Sequence, residues 1–186
     1  EKIPLCATNH TPDDLGANSV SPGQYSLYVT QAEKAWDIIR GDPSVSVAIV
    51  DNAIQANHPD LNAIAGRDVA DGDDDPNPPD ATFSHGTHCA GIAGARTDNG
   101  LNLASIGHGI SIMPVKATAD GNDPDFVDNG YEGVLWAALN GADVISMSWG
   151  GTDGCFTCEL AISGAELLGS VLVAAAGNDN MDESFF

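Results

Sequence analysis

VSVAIVDNA, Val45 to Ala53, is the stretch that decides the fold. Its first six residues are mostly apolar and rich in β-branched side chains, so they read as a strand buried on both faces. An acid, Asp51, follows directly. Working outward, Ile112–Lys116, Val144–Met147 and Val171–Ala175 read as further strands, the last also buried. Helical patterns separate them. One should begin near His85 and run to about Gly94. A second spans Asp128 to Asn140, with Val134, Leu135, Ala138 and Leu139 on one face and Gly141 past its end. A third covers Glu159–Leu168. Upstream, Thr30 is placed to cap a short helix, Gln31 to Ile39, ended by Gly41. Alternating strands and helices predict an α/β domain, a parallel sheet with helices on both faces.

The chain has 186 residues, of which 42% are hydrophobic, enough for one domain with a sizeable core. Residues 1–24, broken by Pro4, Pro12, Gly16, Pro22 and Gly23, read as an N-terminal arm or the remnant of a processing segment, and 25–186 as the domain. No charged region followed by an apolar stretch opens the sequence, so any signal peptide is expected to have been removed or to lie outside it. Six Lys and Arg against 27 Asp and Glu give a formal charge of −21. That field repels nucleic acid and anionic lipid and attracts cations and basic peptides. No apolar run approaches the length of a membrane span. Of four cysteines, Cys155 and Cys158 form a CxxC that reads as a small local disulfide tying a loop, since a metal site would need two more ligands. Cys89 reads as a small buried hydrophobe and His88 as a structural His hydrogen-bonded beneath the site.

Ligands of parallel sheets bind at the carboxyl ends of the strands. Three unusual segments sit there: Asp51-Asn52-Ala53, Ser148-Trp149-Gly150-Gly151 and Gly177-Asn178. His85-Gly86-Thr87-His88-Cys89-Ala90-Gly91 opens a helix with small residues that allow tight packing on a strand. An Asp, a His and an Asn gathered at one sheet edge suit acyl transfer. The His is the base, the Asp fixes its tautomer, and the Asn amide donates to a developing oxyanion.

VSVAIVDNAIQANHPDL (Val45–Leu61), HGTHCAGIAGA (His85–Ala95), ADVISMSWGG (Ala142–Gly151) and VLVAAAGN (Val171–Asn178) resemble, in order, the Asp, His, substrate-binding and oxyanion segments of the subtilisin-like serine proteases. Cys89 is similar to the Cys of the proteinase K branch. The resemblance implies a subtilisin-like fold, incomplete here, and a secreted or extracellular endopeptidase acting on polypeptides. It implies Asp51 as orienting acid, His85 as base and Asn178 as oxyanion donor. It also implies that the backbone of Ser148, Trp149 and Gly150 pairs with an extended substrate. The family follows its Asp with Ser or Thr and then Gly, where Asn52 and Ala53 stand here. The family's Gly-Thr-Ser segment is absent, so the nucleophilic Ser is expected on a missing segment or a companion chain. The alternative is an inactive peptide-binding or calcium-stabilised fragment.

Asp68, Asp71, Asp73, Asp74 and Asp75 crowd the loop DVADGDDDPNP, within an Asp- and Pro-rich run from Arg67 to Ala81. A solvated acidic loop is the plain reading; hard oxygen ligands converging on a turn make calcium the sharper one, though without the twelfth-position Glu of an EF-hand. The resemblance implies calcium in this loop and a second site joining Asp60 to Thr97–Leu103.

Overall fold

The computed structural model describes residues 12–14, 24–150 and 156–178. Five parallel strands form one sheet in the order β2-β3-β1-β4-β5. They are β1 (Ser46–Asp51), β2 (Arg67–Asp68), β3 (Ser111–Lys116), β4 (Val144–Met147) and β5 (Val171–Ala174). β1 lies at the centre, and its residues alternate between two separate cores. Ala48 and Val50 pack with Met113, Val115 and Ile145 under α4 (Gly130–Leu139) and α5 (Phe156–Leu167). Ile49, on the opposite face, packs with Ile112, Ile54 and Ala90 of α3 (His85–Gly94). Helices therefore cover both faces, as the continuous apolar run in β1 requires.

Small residues bring these helices close. A Cβ on Gly94 would come within 2.5 Å of the Ile112 side chain, so α3 can approach the sheet only with hydrogen at that position. Larger residues would force a shift of backbone or partner.

Several expectations are corrected. The single helix Gln31–Ile39 is two short helices, α1 (Tyr25–Thr30) and α2 (Ala32–Trp36), separated by Gln31 in the left-handed region at φ 58°. Thr30 does not cap; its hydroxyl donates back to the Ser26 carbonyl at 2.7 Å. The break lets Leu27, Ala32 and Trp36 converge on Ala104 in one small cluster, a tertiary gain that local propensity cannot register. In α4 the buried face is Gly130, Gly133, Val134, Ala137 and Ala138, while Leu135 and Leu139 face outward. β5, expected buried, is the sheet edge among the described residues, with Val171 60% and Val173 50% exposed. Its one strand neighbour is β4, so one long side of it is unpaired. Within the acidic loop, Arg67–Asp68 adds a two-residue strand beside β3.

Candidate active site

Parallel pairing brings the predicted segments level. Val50 is in register with Met147, and Met147 with Ala174, so Asp51, Ser148 and Ala175 leave the sheet on the same edge. Asn178 follows after Gly177, which takes φ 78°, and is exposed.

Asp51 is 1% exposed, a buried carboxylate that must be hydrogen-bonded. Its Oδ1 accepts from the Asn52 amide at 2.8 Å, and His85 Nδ1 lies 2.8 Å from Oδ1 and 3.1 Å from Oδ2. A carboxylate only accepts, so Nδ1 carries a proton and faces Asp51, while Nε2 is the other ring nitrogen. The His85 side chain is 56% exposed, and it borders a cavity of about 420 Å³. Asn52, Ser84, Pro124, Phe126, Ser148 and Trp149 also line this cavity. The pair is thus an imidazole held by a buried carboxylate beneath it, with an open cleft above.

The helix that carries His85 is pressed against β1. A Cβ on Gly86 would lie 2.5 Å from the Ala53 carbonyl oxygen and 2.7 Å from the Asp51 Cβ. Cys89, one turn further on, sits under the imidazole with Sγ 3.8 Å from Nδ1. Burial pushes its thiol up from the usual value. Cys89 is half-buried, and its raised pKa favours the thiol over the thiolate.

Trp149 fixes the far wall. Its Nε1 donates to the Val50 carbonyl at 2.7 Å, and its ring meets Tyr131 edge-on with centroids 5.3 Å apart. Among the described residues, the backbone of Ser148, Trp149 and Gly150 makes no backbone hydrogen bond, which leaves this edge open to a further strand. Gly151, Cys6 and Cys155 lie outside the described residues. Cys158 is disulfide-bonded.

The candidate metal ligands divide into two groups. Asp68 and Asp71 close on the ammonium of Lys116, a residue only 1% exposed. Lys116 Nζ donates to Asp68 Oδ2, to Asp71 Oδ2 at 2.8 Å and to Asp120 Oδ1 at 2.7 Å. Burial pulls the Lys116 pKa down, but the bonds to Asp120, Asp68 and Asp71 outweigh it and hold the group above its ordinary value. Asp68 Oδ1 accepts from the amides of Ala70 and Asp71. Asp73 and Asp75 each accept a backbone amide two residues on, forming successive Asx turns. Lys116 was not foreseen; the signal was a charged residue ending a wholly buried strand, which has to find partners.

Asp60, 3% exposed, does meet the loop expected of it. Asn99 Nδ2 donates to its Oδ1 at 2.8 Å, and the Leu103 amide reaches Oδ2 at 3.4 Å. Asp14, fully buried, joins from the arm and accepts the amides of Asp98 and Asn99. Sequence reasoning missed Asp14 because Pro12-Asp13-Asp14 carries no periodicity. His88 is corrected. It is exposed, and it lines a separate cavity of about 720 Å³ with His58, Asp60 and Phe83, on a surface that includes neither Asp51 nor His85.

The fold is thus a parallel α/β sheet with helices on both faces and a buried acid–histidine contact next to the carboxyl end of its central strand. The chain belongs to the Subtilase family, whose model matches residues 42–185. It is 40% identical to thermitase of Thermoactinomyces vulgaris over 171 residues, 91% of this chain and 58% of that protein. It is 37% identical to a halolysin-like extracellular serine protease of Natrialba magadii over 84% of this chain and 30% of that one. Fervidolysin of Fervidobacterium pennivorans, a keratinolytic enzyme related to subtilisin, superposes with a TM-score of 0.69 at 30% identity, over 98% of this chain and 28% of fervidolysin. The chain thus spans from under a third to somewhat over half of these relatives. No helix of the described residues is long and apolar enough to cross a membrane.

Proposed function

We propose that this chain supplies the base, its orienting acid and an oxyanion donor of a secreted serine endopeptidase. The nucleophilic Ser would come from polypeptide that this sequence does not include. The observation that carries the reading is the His85 Nδ1 contact to buried Asp51 at 2.8 Å, with the other ring edge open to the cleft. No described serine hydroxyl hydrogen-bonds to His85. In this reading a substrate strand pairs along Ser148–Gly150. The Ser Oγ attacks the peptide carbonyl carbon as His85 Nε2 takes its proton. The negative charge on the carbonyl oxygen accepts from the Asn178 amide, and Asp51 stabilises the imidazolium. His85 then returns the proton to the leaving amine, and water repeats the sequence on the acyl-enzyme. The extracellular description of the Natrialba magadii relative supports secretion. The test is a fluorophosphonate probe on the complete protease. Label is expected on a Ser outside these 186 residues and is expected to vanish in His85→Ala. Label on a serine of this stretch would overturn the reading.

For calcium, the two carboxylate groups differ in fit. Asp68 is paired with the Lys116 ammonium, whose positive charge opposes a divalent ion, and does not fit a divalent ligand. Asp14 and Asp60 do fit. Both are buried oxygen donors against one loop, held by amide donors rather than a counter-charge. Together with loop carbonyls of Thr97–Leu103 they would hold calcium and tie the arm to the domain. Chelation should then lower the melting temperature of the complete protease. An ion held at a hundred- to a thousandfold its Kd adds about 3–4 kcal/mol. Asp60→Asn should abolish the chelator effect; if it persists, the ion sits elsewhere.

A further inference from the structure

We infer that Asn52 is a positioning residue: a single side-chain amide that ties the His85 helix to the Pro124–Val127 wall of the substrate cleft. The inference rests on the protease reading above and concerns how that site grips its substrate.

Asn52 is 2% exposed and follows Asp51 directly, so its backbone amide is already spent on the Asp51 carboxylate. Its side chain does something separate at each end. Oδ1 accepts from the Ala53 amide at 2.7 Å and from the Gly86 amide at 3.1 Å. Gly86 N is one of the donors that a helix start leaves without an internal partner, and Ser84 makes no side-chain cap here. Asn52 therefore caps α3 from another element, one residue after His85. Nδ2 donates the other way, to the Pro124 carbonyl at 2.9 Å. Two amide donors on one side and a carbonyl on the other leave only one orientation of the side chain that satisfies all three.

A second side-chain bond also anchors the wall to the body of the domain. Thr118, fully buried, donates from Oγ1 to the Phe126 carbonyl at 2.6 Å. At and beside those two anchors, Pro124, Asp125, Phe126 and Val127 border the same cavity as His85 and Trp149. Phe126 is 65% exposed, so its position is set by these backbone bonds and not by packing. A serine hydroxyl at position 52 could still accept from Gly86. It is too short and has too few atoms to reach Pro124 as well. An amide at this position thus couples two parts of the site that a hydroxyl would leave independent.

The test uses the complete protease, its active sites counted with a serine-directed probe, and a peptide substrate with four residues before the scissile bond. Asn52→Ser is expected to raise KM about tenfold, the scale of orphaning one buried acceptor, with a smaller fall in kcat. Thr118→Val, which loosens the same wall without touching Asn52, should shift KM in the same direction. It decides the matter if the first variant does not fold. A purely structural role would lower the active fraction and the melting temperature while leaving KM per active site unmoved. That result, or a kcat loss as large as the KM rise in both variants, would overturn the inference. A wild-type enzyme with no titratable Ser would overturn the protease reading, and this one with it.

Discussion

His85→Ala in the complete protease is expected to cut kcat by about a million-fold, the scale known for the same change in subtilisin, a member of this family. The reason lies in the geometry. With Ala at position 85 nothing accepts the serine proton, while Asp51 keeps the hydrogen bond from the Asn52 amide. Melting should change little, because the imidazole is more than half exposed and supports no core packing. Activity per active site measured alongside thermal unfolding separates the two effects. A variant that keeps turnover within tenfold of wild type would remove His85 from the mechanism.

Lys116→Met should have the largest effect on stability. The variant would leave Asp68, Asp71 and Asp120 facing one another around an apolar tip. Breaking a buried ion pair from one side costs about 3–5 kcal/mol. For a domain of this size that is roughly 6–20 °C in melting temperature. Replacing Asp68 by Leu in the same background should recover part of the loss, since an apolar cluster of the same shape can be as stable as a paired one. The pH dependence follows from the directions of the shifts. The raised Lys116 pKa contributes stability that is full below its ordinary value of 10.5 and is lost as pH rises through the folded value. The hydrogen bond from Lys116, then that from the Asp120 amide, hold Asp71 below its ordinary 3.8. Its contribution is present above that value and is lost as pH falls through the folded one. The wild type should therefore show a stability plateau between these limits, and Lys116→Met a flatter profile. Equal melting temperatures would show that the cluster holds nothing together.

The placement of Asp51, His85 and Asn178 along the chain was legible because each sits beside an element that announces itself. Asp51 ends an apolar β-branched run, His85 opens a helix of small residues, and Asn178 follows a third strand. Adjacency along the chain then became adjacency in space through parallel register. Asn52, Asp14 and the pairing of Lys116 with Asp68 and Asp71 were not legible, because these partners are far along the sequence. Asn52 reaches across 34 and 72 residues, and Asp14 across 84 and 85. No local pattern encodes such a bond. The acidic loop held a partner that was hidden for a related reason. Its composition pointed to a cation, and one is present, but it belongs to a strand read only for its apolar residues. The broken helix at Gln31 and the exposed β5 were lost to tertiary context, the first by convergence on Ala104 and the second by the absence of a described neighbour beyond it.

That exposed strand bears on how the isolated polypeptide would behave in a test tube. Among the described residues, β5 combines a row of amides and carbonyls without a strand neighbour with half-exposed valines, and Leu167 and Leu168 lead into it with 89% and 52% of their surface open. Such an edge is a template for sheet growth between molecules. The formal charge of −21 acts against it, since every copy repels every other. Colloidal behaviour is thus a contest between one sticky seam and a whole-surface field. Acid, which neutralises carboxylates, and concentrated salt, which screens them, both tilt that contest toward precipitation.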